Sequence, residues 1–169
     1  TKQMDKAQTE FSKLTAHPDL AVAAMAMEGV IRCLQQSSKG GEVEAFCQSK
    51  AVSPNPGIAL VASSELGALQ FQKAGSSAQA LRASMNTLLN AVVKYLPPKG
   101  SPLSKYHAKA LWNLGQCYQQ LGALSKIPDS QKRYRFWAIG AYSDLIAYHP
   151  AEPLAVEAQK KRKELMAIK

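Results

Sequence analysis

Clusters of helix-breaking residues punctuate this chain from end to end. They are His17-Pro18-Asp19, Ser37-Ser38-Lys39-Gly40-Gly41, Ser53-Pro54-Asn55-Pro56-Gly57, Gly75-Ser76-Ser77, Pro97-Pro98-Lys99-Gly100-Ser101-Pro102, Ile127-Pro128-Asp129-Ser130 and His149-Pro150. Between them the segments are rich in Ala, Leu, Gln, Lys and Met, which favour helix. Runs of β-branched residues are nearly absent, so strands have little sequence to form from. The punctuation predicts an all-α chain of about seven or eight short helices. With 169 residues there is room for one domain and a core of useful size.

Apolar residues recur at helical spacing. Leu81, Met85, Leu88, Leu89, Val92 and Leu96 follow i, i+3/i+4 steps, as do Leu111, Leu114, Gly115, Tyr118 and Leu121, and then Ala138, Tyr142, Leu145 and Ile146. Helices are expected at 3–15, 19–37, 42–50, 57–74, 77–96, 103–122, 131–148 and 152–168. The 42–50 segment could equally be a packed loop. Ser77, Ser101 and Ser130 are candidate N-caps, and Pro102 suits a first helical turn.

Three of these helices end alike, in Phe11-Ser12-Lys13-Leu14 before Pro18, in Leu89-Asn90-Ala91-Val92 before Pro97, and in Tyr142-Ser143-Asp144-Leu145 before Pro150. Similar starts follow two of them, Leu20-Ala21-Val22-Ala23 and Leu154-Ala155-Val156-Glu157. The prolines are unevenly spaced, so the repeats are degenerate and carry insertions. The stretch Ala108 to Pro150 resembles a tetratricopeptide repeat through Ala108, Leu111, Leu114-Gly115, Tyr118 and Gly122 on a first helix and Ala138, Tyr142, Leu145 and Pro150 on a second. Trp112 stands one place after the family's usual aromatic. The link from Gly122 to Ala138 is longer than the family norm, which predicts an inserted loop at 123–130. A weaker copy covers about 58–97 through Leu66-Gly67, Gly75, Leu89, Val92 and Pro97.

The resemblance implies antiparallel helical hairpins stacked as a right-handed solenoid. One hairpin cannot cover its own apolar face, so neighbours must stack. It divides the single domain into degenerate hairpins at 1–57, a weak repeat at 58–101, the best-matching repeat at 102–150 and a capping helix at 151–169. Gly115 would let two helices approach closely, with Tyr118 and Tyr142 filling the space between them. The opening helix looks like the second half of a hairpin, which implies upstream repeats or a helix left to cover the end. Tyr148-His149-Pro150 before an Ala-containing helix is similar to a bacterial-envelope subgroup of the family, the periplasmic scaffolds of the outer-membrane-assembly-lipoprotein and Tol-Pal-coordinator type. That likeness implies an envelope setting; a cytoplasmic one is left open.

Composition excludes a membrane, collagenous or disulfide-dense protein. No stretch approaches the roughly 18 apolar residues of a membrane span. Thr1-Lys2-Gln3-Met4-Asp5 has no apolar run behind its lysine, so no signal peptide is expected there, and the missing initiator Met suggests processing or an excised piece. Cys33, Cys47 and Cys117 form no C-x-x-C pattern; Cys33 and Cys47 could pair, or all three could be small buried apolar residues. The net charge of +9 favours acidic partners or a solvated surface. Its two clusters are Lys132-Arg133-Tyr134-Arg135 and Lys160-Lys161-Arg162-Lys163. The second is expected near a helix C-terminus, where cations suit the dipole.

Little in the sequence points to catalysis. No H-E-x-x-H, G-x-S-x-G, P-loop or G-x-G-x-x-G pattern is present. Ser38-Lys39-Gly40-Gly41-Glu42 reads as a turn. His17 and His149 precede prolines at helix ends, where an imidazole can satisfy terminal carbonyls. Glu42 and Glu44 stand at i, i+2 and do not face one site. No enzyme activity, cofactor or metal is expected. The better candidate is a binding row on the 103–122 helix, made of Lys105, Lys109, Trp112, Gln116 and Gln119. In tetratricopeptide repeats this face of the first helix lines the concave groove. An aromatic among cations and amides suits a protein or peptide partner of acidic character. The plain alternative is that Trp112 packs on the neighbouring helix, and Trp137 carries the same ambiguity. The family's chaperone-tail clamp has Lys and Asn where this chain has Trp112 and Gln116, which argues against a co-chaperone. The competing function is a nucleic-acid-binding or enzymatic helical domain using 123–135 through Lys132, Arg133 and Arg135. No zinc-finger, RNP or helix-turn-helix pattern supports nucleic acid.

Overall fold

The computed structural model describes residues 2–37 and 40–168. Among the described residues there are eight α-helices: α1 Lys2–Leu14, α2 Leu20–Gln36, α3 Val43–Lys50, α4 Pro56–Ala74, α5 Ala78–Lys94, α6 Ser104–Leu124, α7 Pro128–Tyr148 and α8 Pro153–Ala167. No strand occurs among the described residues, so the chain is all-α. A 3-10 turn, Gly40–Glu42, leads into α3, while Ser38 and Lys39 of the glycine-rich breaker lie outside the described residues.

The breakers act where expected, but some caps differ. Asp19 Oδ1 accepts from the Ala21 and Val22 amides, and Asn55 Oδ1 from those of Gly57 and Ile58, so an Asx residue opens both α2 and α4. Ser77 Oγ caps α5 through the Ala80 amide at 3.2 Å. Ser101 instead closes a turn ahead of α6, where its Oγ accepts from the Leu103 amide, and Pro102 lies in that turn rather than in the helix. Ser130 is inside α7, because Pro128 needs no amide partner and so can open the helix. Gly75 follows α4 at φ 50, a left-handed value that glycine adopts without a Cβ penalty.

Helix packing repeats one device. A Cβ on Gly67 of α4 would stand 2.5 Å from Leu88 of α5, and a Cβ on Gly115 of α6 would stand 2.5 Å from the Tyr142 ring of α7. A Cβ on Gly29 of α2 would stand 2.6 Å from the Phe11 ring of α1. In each pair a bare backbone receives a large side chain, which brings the two helices close. The clasp at α2 differs in chain order, since its large residue comes from the preceding helix. The opening helix is therefore the hairpin partner of α2.

Beyond these pairs, α4 also touches α2, α3 and α6, α5 touches α6, and α8 touches α6 and α7. Among the described residues no helix backbone packs directly against one more than two places away along the chain, and side chains alone bridge farther, from Glu28 of α2 to Lys105 and Tyr106 of α6. Two buried serines add polar ties: Ser64 Oγ donates to the Tyr106 carbonyl, and Ser84 Oγ to the Gly67 carbonyl. Both satisfy polar groups inside an otherwise apolar core.

The expected inserted loop at 123–130 is not a loop. The connector is residues 125–127, and the extra residues lengthen both helices. The cause is local packing. Tyr134 lies against Gly122, and the rings of Tyr118, Tyr134 and Trp137 stack together, so apolar contact extends the hairpin as far as Pro128. On α8, Ala155, Ala158 and Leu165 are buried and the rest is largely exposed, the half-polar pattern expected of a cap.

Candidate partner-binding surface

Lys105, Lys109, Trp112, Gln116 and Gln119 fall along one side of α6, while Leu111, Leu114 and Tyr118 face the core. The five residues share a face, but most are already engaged within the chain. Lys105 Nζ meets Glu28 of α2 at 2.8 Å, and Lys109 Nζ meets Glu65 of α4 at 2.6 Å. Trp112 is half-buried, with its ring 5.4 Å from that of Tyr142. Gln119 Oε1 accepts from the Tyr142 hydroxyl at 2.6 Å. Trp112 thus does pack on the neighbouring helix, though without being sealed.

Glu28 is the hub of this face. Its carboxylate accepts from Arg32, Lys105 and the Tyr106 hydroxyl. Partial burial raises the Glu28 carboxyl, but hydrogen bonds from Lys105 and Tyr106 and the charges of Lys105 and Arg32 outweigh it and hold it below its usual range. Glu28 therefore stays ionised and links α2 to α6 across α4.

The α7 cluster differs. Lys132 and Arg133 are exposed on its early turns, and Arg135 is half-buried and donates to the Ile168 carbonyl at 2.8 Å. Among the described residues none of the three is ion-paired. Phe136 beside them is 71% exposed and Trp137 40%. The sequence reading missed Phe136, although the inward phase of Ala138, Tyr142 and Leu145 places it outside. The second cluster precedes the last turn of α8, where the dipole is weak. Lys160 and Lys161 there pair with Glu157 and Glu164.

His17 and His149 do not bond the terminal carbonyls expected of them. His17 Nδ1 accepts from the Asp19 amide. His107 and His149, only 3% and 4% exposed, join Nδ1 to Nε2 at 2.7 Å, and His107 Nε2 lies 3.1 Å from the Val92 carbonyl. The carbonyl can only accept, so His107 carries its proton on Nε2 and His149 Nε2–H donates to His107 Nδ1. The pair ties α5, α6 and the end of α7 together. Nothing in the sequence signalled it.

All three cysteines are buried and free. Burial, aided by the charge of Glu65, pushes the Cys47 thiol up to about 12, and burial pushes Cys117 to about 11 against a contact with Ser84. Both stay protonated at neutral pH and are poor nucleophiles. Among the described residues, no three His, Cys, Asp or Glu side chains group to hold a metal ion, and no helix is long and apolar enough to cross a membrane.

Comparison of the chain with protein-family models, curated proteins and solved structures finds no match.

Proposed function

We propose that the chain is a non-catalytic scaffold of tetratricopeptide type, whose stacked hairpins offer the α6 face to a partner polypeptide. The observation that carries this reading is the reach of Glu28 to Lys105. Helices α2 and α6 stand on either side of α4, yet their side chains meet at 2.8 Å. Such a reach across an intervening helix is what a concave face shared by α2, α4 and α6 would require. The repeated glycine clasp and backbone packing confined to helices one or two places apart fit stacked hairpins. Trp112 supplies an apolar anchor on this face and Gln116 a free amide beside it. Because Lys105 and Lys109 already face carboxylates, an acidic partner must compete with Glu28 and Glu65. Recognition thus leans on Trp112 more than on charge. The envelope setting implied by the resemblance belongs to the same reading.

The test is capture of partners from the native source, identified by mass spectrometry and repeated at moderate salt. Trp112→Ala abolishes capture and Lys109→Glu weakens it. If both variants retain the partner, the face is misassigned.

A second reading, nucleic-acid binding through Lys132, Arg133 and Arg135, draws on their lack of carboxylate partners and on exposed Phe136. It requires binding to random RNA or DNA that weakens steeply with added salt.

A further inference from the structure

A cleft of about 460 Å3 opens between the end of α6, the start of α7 and the end of α8. The helical turns that replace the expected loop, at the end of α6 and the start of α7, supply most of its lining, and Leu165 and Ile168 at the end of α8 complete it. Tyr118, Ala123, Pro128 and Leu165 give it apolar walls, and Lys132 and Arg135 stand at one side. Its volume falls in the range of about 300–1,000 Å3 typical of sites that hold a ligand group.

The charge state of those two cations decides what fits. Three cations that bridge helices are answered by carboxylates, in Lys105–Glu28, Lys109–Glu65 and Lys73–Glu44. Lys132 and Arg135 are not. Asp129, one turn earlier on α7, is in ion-pair range of neither. Arg135 donates to a backbone carbonyl, which satisfies one N–H and leaves the charge uncompensated. Apolar walls under uncompensated cations complement an apolar side chain carried next to a carboxylate. Tyr118 is only 8% exposed, so it offers no open face for a nucleobase to stack on.

We propose that this cleft takes a short acidic segment of a partner polypeptide, with one large apolar side chain inside and a neighbouring Asp or Glu on Lys132 and Arg135. The inference rests on the scaffold reading. Gln119, the last residue of the α6 row, also lines the cleft, so a segment lying along α6 runs into it.

The experiment uses the full chain, 15N-labelled, and a fluorescein-labelled nonapeptide that alternates Glu with Leu and Phe. One control replaces each Glu by Lys, another replaces Leu and Phe by Ser, and a third probe is a single-stranded RNA. The acidic apolar peptide is expected to bind and to shift the amide signals of Ala123, Lys132 and Leu165, while the controls bind weakly. Lys132→Glu and Ala123→Trp, both at exposed positions, each weaken binding by roughly tenfold or more with circular dichroism unchanged. Unchanged affinity in both variants overturns the proposal. Shifts confined to Trp112 and Lys109 overturn the cleft while leaving the scaffold reading intact. RNA or the Ser peptide binding as tightly as the acidic apolar peptide overturns it in favour of a polyanion. No binding at all overturns it too, and leaves the scaffold reading to its own partner-capture test.

Discussion

Helices α6 and α7 are the same length, 21 residues each, and form one hairpin, yet they differ in almost every other respect. Eleven residues of α6 are buried, against four of α7. The cations on the α6 face meet carboxylates, its histidine is locked in a buried pair, and its Gly115 is clasped by a ring. On α7 the cations lack ion pairs, Phe136 stands in solvent, and Gly140 has nothing within 4 Å of where a Cβ would lie. The neighbours explain the contrast. α6 packs against α4, α5, α7 and α8, whereas α7 packs against α6 and α8. α6 is thus constrained by structure along its length, and α7 keeps more of its surface exposed.

The sharpest way to break this comparison is a methyl group at the clasp. In Gly115→Ala the new Cβ would press on Tyr142, which is fully buried, hydrogen-bonded to Gln119 and flanked by Trp112. The ring has no free direction in which to retreat. The expected cost is roughly 3 kcal/mol, the upper end of overpacking penalties, read in urea titrations. It corresponds to a fall of about 10 °C in melting temperature for a chain of this size. A Tyr142→Leu background should absorb part of the cost, a coupling that a double-mutant cycle measures. A Gly115→Ala protein as stable as the parent would mean that the hairpin does not close on this glycine.

Next in size is the hub on the α6 face. Glu28→Ala leaves the buried Tyr106 hydroxyl without its acceptor and returns Lys105 and Arg32 to water. The orphaned hydroxyl dominates, at about 1–3 kcal/mol. Glu28→Gln keeps an acceptor for Tyr106 and should cost less. If the two variants are equally stable, the hydroxyl is not satisfied through Glu28, and the link from α2 to α6 is weaker than the geometry indicates.

How much of this was legible in the sequence follows from the range of each interaction. The helices were readable because Pro, Gly and Asx breakers act locally, and every expected helix occurs with ends within a few residues. The approach of Tyr142 to Gly115 was readable because the tetratricopeptide-like pattern puts a glycine on the first helix and an inward aromatic on the second. The same pattern misled at 123–130. A connection longer than its norm reads as a loop, yet Tyr134 against Gly122 supplies the contact that makes it helix. The α6 row was found from periodicity alone, but its engagement was not, since Glu28 and Glu65 belong to distant helices. The His107–His149 pair and the cleft over α8 were invisible for the same reason.

Acid should probe α6 where its histidine meets His149. Burial lowers both imidazoles, and the charge of His107 helps bring His149 to about 4 from an ordinary 6.5; the Val92 carbonyl and Asp144 act the other way on His107. The unfolded chain takes up protons at these sites below about pH 6.5, whereas the folded chain resists at both and holds His149 neutral until near pH 4. Stability is therefore fully present above that window and falls as the pH drops through it, by roughly 1–2 kcal/mol. Asp144 is raised by burial, so it holds a proton more readily folded than unfolded and softens the loss at the acid end. His149→Gln keeps an amide donor for His107 Nδ1 and removes the titration, so its stability should vary less with pH. An identical pH profile in the variant would show that the pair does not carry the acid sensitivity.

The smallest effect, and the only favourable one, belongs to α7. Gly140 is a helical glycine on the outward side, with open space where a side chain would go. Gly140→Ala adds no clash and removes freedom from the unfolded chain, so it should stabilise by about 0.5–1 kcal/mol. The same change at Gly115 carries the same backbone gain and loses it many times over to Tyr142. Opposite signs for one substitution at two glycines of one hairpin are the plainest expression of the difference between the helices. If Gly140→Ala destabilises instead, something covers that side of α7, and less of its surface is open than the geometry at Gly140 indicates.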